Sequence, residues 1–110
     1  MDVMRNLSKH ILAIIQSRTA WVIDRRKEDQ WVRTMNGETR NLNDPYMVYL
    51  IEGLLQHELA TRTDGKVVIE YDNDVNKVIV KAGREVICEP RLRFPDTGLI
   101  AALAKLLDDL

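Results

Sequence analysis

The chain has 110 residues, 45% of them hydrophobic and 30% charged, with a formal net charge of −1. That length fits one domain over residues 1–110, and that composition excludes a disordered chain. Residues 1–55 carry eight Lys/Arg and seven Asp/Glu and residues 56–110 carry eight and ten, so no basic or acidic arm calls for nucleic acid or an anionic membrane.

The first expected element is an amphipathic helix. Val3, Leu7, Ile11, Ile14 and Ile15 recur at three- and four-residue spacing, with Met4 at the edge of the stripe and Arg5, Ser8, Lys9 and Gln16 mostly away from it. The period then shortens to two. In TAWVIDRR, Trp21 and Ile23 alternate with Val22 and Asp24, a strand pattern. KEDQ reads as a polar turn and QWVRTM as the second strand of a hairpin, closed by Asn36-Gly37. Both tryptophans fit core-facing strand positions.

A second helix follows in NLNDPYMVYLIEGLLQHELATR, capped by Asn43 or Asp44 with Pro45 in its first turn. Met47, Val48, Leu50, Ile51, Leu54, Leu55 and Leu59 cover an arc wider than the ~100° of an ordinary surface helix. Such an arc asks for more than one packing layer or for a second subunit. Gly53 sits inside it at a cost of about 1 kcal/mol relative to Ala, which a close backbone approach or simple drift would explain. KVVIEYD, NKVIVK and REVICEP then read as three strands joined by Asn73-Asp74 and Ala82-Gly83. Links that short imply an antiparallel meander, and apolar residues on both faces imply a sheet covered on both. The final helix, PDTGLIAALAKLLDDL, is capped by Asp96 or Thr97, and Leu99, Ile100, Leu103, Leu106, Leu107 and Leu110 form its stripe. Asp108 and Asp109 oppose the helix dipole and are expected to keep that end solvated.

The expected order is helix, two strands, helix, three strands, helix. With TAWVIDRRKEDQWVR as a first hairpin and FPDTGLIAALAKLL leading into the last helix, the chain resembles the roadblock/dynein light chain family. Gly98 matches that family's glycine, Asp96 stands where its asparagine often is, and Lys27-Glu28-Asp29 replaces its frequent glycine turn. The resemblance implies an α+β fold: a five-stranded antiparallel sheet, hairpin plus three-stranded meander, with three helices covering both faces. It also implies a homodimer through the second helix and the strand after it, and a role as regulator of a small GTPase or as a scaffold subunit. The expected interface is Met47, Leu50, Ile51, Leu54, Leu55 and Val68.

Candidate chemistry is sparse. YDNDVNKVIV places Asp72, Asp74 and Asn76 at alternate positions, as a calcium loop begins, but the sixth and twelfth positions are Lys77 and Gly83 where Gly and Glu are needed. A hairpin turn is the expectation there. His10 and His57 lack partners at zinc spacing, and residue 61 is Thr, so His57-Glu58 begins no H-E-x-x-H motif. Glu58 falls near the middle of the apolar arc, where it either meets an arginine across an interface or lies on a frayed last turn. Cys88, the single cysteine, excludes a disulfide framework and is expected to be a buried, inert thiol in phase with Val86. No catalytic residue, cofactor or metal site stands out.

Arg25, Arg26 and Lys27, with Arg33 and the two tryptophans nearby, form the one candidate surface for nucleic acid or an acidic partner, although Glu28 and Asp29 follow at once. Asp2, Arg5, Lys9 and His10 interrupt what would be a signal peptide's apolar region, and no apolar run has membrane length. The expectation is therefore a cytoplasmic, non-enzymatic protein–protein interaction module, dimeric, serving as adaptor, regulator or scaffold subunit. Nucleic-acid binding and a small inhibitor or immunity-type role are the alternatives.

Overall fold

Ser8 decides where the first helix starts. In the computed structural model, which describes residues 7–26, 29–34, 36–42, 44–90 and 98–110, its backbone is extended and its hydroxyl accepts the Ile11 N–H at 3.1 Å. Helix α1 therefore runs Lys9–Arg18, and Ser8 is its N-cap rather than a residue on its polar face. Val3, Met4 and Arg5 lie outside the described residues.

Strands β1 (Val22–Arg26) and β2 (Asp29–Arg33) form the expected hairpin, with Val22 opposite Arg33 and Ile23 opposite Val32. Gly37, at φ 80°, then reverses the chain. The Thr34 N–H donates to the Glu38 carbonyl at 2.9 Å, and the Gly37 N–H donates to the Thr34 carbonyl at 3.0 Å. The return leg is a strand that the sequence pattern does not announce, β3 (Thr39–Asn41), which pairs Val32 with Arg40. Three polar residues carry no alternation to read; the backbone ladder makes this strand.

Helix α2 (Pro45–Arg62) starts at Asp44, whose carboxylate accepts the Tyr46 N–H at 2.9 Å. The alternative cap, Asn43, lies outside the described residues. At the other end the Gly65 N–H donates back to the Ala60 carbonyl at 2.6 Å, with Asp64 at φ 60°, a left-handed stop that turns the chain toward the second sheet. There β4 (Val67–Asp72), β5 (Lys77–Ala82) and β6 (Glu85–Pro90) form the expected meander. Helix α3 (Gly98–Asp109) closes the fold; Asp96 and Thr97 lie outside the described residues.

The class is α+β; the described residues form three helices and two separate three-stranded antiparallel sheets, β1-β2-β3 and β4-β5-β6. This corrects the expected single five-stranded sheet. The free edge of β2 is taken by β3, so the hairpin satisfies its ladder locally. Among the described residues no strand of one sheet pairs with a strand of the other.

Coverage differs from expectation as well. Helix α3 packs on β5 and β6 and meets α1 and α2, so the helices share one core with one face of the second sheet. Val78, Val80 and Ala82 point into that core, beside the partly buried Val67, Ile69 and Ile87. The other face carries Val68 and Val86, both about half exposed, with no described helix across it. Cys88 shares that face and is exposed, which corrects the expectation of a buried thiol. Alternation puts it outward with Val86, and outward here means solvent.

Candidate functional site

Helix α2 presents two unlike sides. Met47, Val48, Ile51, Leu55, Glu58 and Leu59 are its buried residues, and at 100° per residue they form one seam of ordinary width. Helices α1 and α3 pack against this helix. The broad arc read from sequence thus divides. Met47, Ile51 and Leu55, three of the expected interface residues, belong to the chain's own core. Leu54 is half-buried, while Leu50 is 41% exposed and Val68 on β4 is 50% exposed.

On the side opposite the seam lie Tyr46 (57% exposed), Tyr49 (49%), Leu50, Gly53, Gln56 and His57. No formal charge sits among them, although the outer side of a surface helix is ordinarily its charged side. The Arg40 guanidinium lies 5.4 Å from the centre of the Tyr46 ring and pairs with Glu38 at 3.3 Å. A methyl group added at Gly53 would meet no atom within 4 Å, so no close approach within the described chain explains that glycine. The tyrosines fall outside the largely aliphatic arc that marks α2 in the sequence. Their signal was the spacing of Tyr46, Tyr49, Leu50 and Gly53, a second stripe behind the first.

Glu58 does not lie on a frayed last turn; it meets arginine, as the other expectation has it, but within the chain. Helix α2 continues a full turn beyond it, and the residue is 5% exposed. Its Oε2 accepts from Arg18 Nε and Nη2, both at 2.9 Å, and its Oε1 accepts from Arg62 Nε and Nη2, both at 3.1 Å. Two side-on guanidinium pairs thus hold one carboxylate where α1 and α2 both end. Asp108 also acts within the chain: its Oδ1 accepts the Ser8 hydroxyl at 2.8 Å and lies 3.2 Å from His10 Nδ1. The carboxylate that opposes the dipole of α3 sits at the start of α1, where a negative charge is favoured.

In the backbone register, the described arginines of the basic hairpin are spread along its length. Arg25 and Arg26 stand opposite Gln30 and Asp29 at the turn end, Lys27 lies outside the described residues, and Arg33 stands opposite Val22 at the far end. Four residue steps along a strand separate Arg26 and Arg33 across the pair by roughly 13 Å.

The stretch YDNDVNKVIV forms a hairpin turn, with the Asp72 carboxylate accepting the N–H groups of Asp74 at 3.1 Å and Val75 at 3.4 Å. Among the described residues no group of three or more His, Cys, Asp or Glu is placed to hold a metal ion. No described helix is long and apolar enough to cross a membrane. Comparison with protein-family models, curated proteins and solved structures gives no match to this chain.

Proposed function

We propose that this chain is a protein–protein interaction module without catalysis of its own, docking through the outer side of α2, with a second copy of itself as the first partner. One observation carries the reading: Tyr46, Tyr49 and Leu50 stand exposed along a helix side that bears no formal charge. Exposed tyrosines such as Tyr46 and Tyr49 are among the residues that concentrate binding energy in protein interfaces. In a twofold dimer the same side serves both copies, which suits an uncharged face because no like charges meet.

The resemblance to roadblock-type proteins extends the proposal to a cytoplasmic adaptor, regulator or scaffold subunit, with a small GTPase among its candidate partners. Size-exclusion chromatography with light scattering tests the core of it. The unaltered chain should associate, and Leu50→Glu should give a folded monomer with an unchanged circular dichroism spectrum. A monomer at every concentration, failing also to retain any protein from its native host, would sink the reading.

A further inference from the structure

We draw no further inference here: the strongest candidate, the uncovered face of the β4–β6 sheet around Val68, Ile79, Val86 and Cys88, is interleaved with Glu70, Lys77 and Lys81, and nothing in the structure shows what covers it.

Discussion

Glu58 is a buried carboxylate whose two partners reach water: the side chains of Arg18 and Arg62 are 55% and 36% exposed. That asymmetry predicts unequal costs. Arg18→Ala or Arg62→Ala leaves Glu58 one guanidinium, and each should cost about 1–2 kcal/mol. The double substitution strands the carboxylate in a low-dielectric site and should cost about 3–5 kcal/mol, more than the two singles combined. Glu58→Met removes the buried charge and lets both arginines extend into solvent, so it should cost less than the double substitution. Urea midpoints for the four variants check the order; strict additivity of the two arginines would show that Glu58 does not depend on the pair. Half of this arrangement was legible. A glutamate inside an apolar arc announces itself, and Arg62 is four residues away on the same helix. Arg18 is forty residues away on another element, and no local pattern encodes that approach. Asp64, held at φ 60° just past α2, carries a smaller prediction. Asp64→Gly should stabilise by up to about 1 kcal/mol, because glycine adopts that backbone without the left-handed penalty, whereas Asp64→Val should destabilise by about 1–2 kcal/mol.

Elements with a strong period were legible, and those held only by the backbone were not. The apolar spacing of α1, α2 and α3 and the alternation of the β4–β6 meander give those elements in order. β3 escapes because Thr39, Arg40 and Asn41 carry neither β-branched alternation nor an aromatic residue, and its existence depends on β2 already being in place. The start of α1 escapes because a helix stripe can be extended backward past a cap, whereas the Ser8 hydroxyl fixes the end physically. Ser8→Ala should cost about 1 kcal/mol, since it removes both the N-cap bond and the hydroxyl that Asp108 accepts. Within α2, Gly53 lies in open space on the outer side, so Gly53→Ala should raise monomer stability by about 1 kcal/mol from helix propensity alone. The same methyl group would keep a second helix at a distance. Denaturation of a dilute sample should therefore show the gain, while association at high concentration weakens. A gain in stability with unchanged association would place the contact elsewhere on the helix.

At the scale of the whole molecule, the described sheets and helices share one core, and Tyr46, Tyr49 and Leu50 on the uncharged outer side of α2 stay about half exposed. Which face is covered was not legible, because coverage follows from how separate elements pack and not from the period of any one of them. The magnitude of the exposed patch sets how tightly it can pair. Two tyrosines and a leucine, each about half exposed, offer roughly 300 Å² per copy, on the usual 150–250 Å² for a whole aromatic side chain. A standard interface buries about 800 Å² per partner, so self-association through this side alone should be weak and dependent on concentration. Light scattering should then give a mass rising from the 12.7 kDa monomer toward twice that value as loading increases. Salt separates this contact from an electrostatic one. No formal charge lies among the outer residues from Tyr46 to His57, so raising salt from about 0.05 to 0.5 M should leave association unchanged or strengthen it slightly, as apolar burial does in excluded salts. Association through the basic hairpin, whether with an acidic protein or with nucleic acid, should instead weaken steeply over the same range. A dimer that dissociates on adding salt would move the interface off α2 and onto the charged surfaces of the molecule.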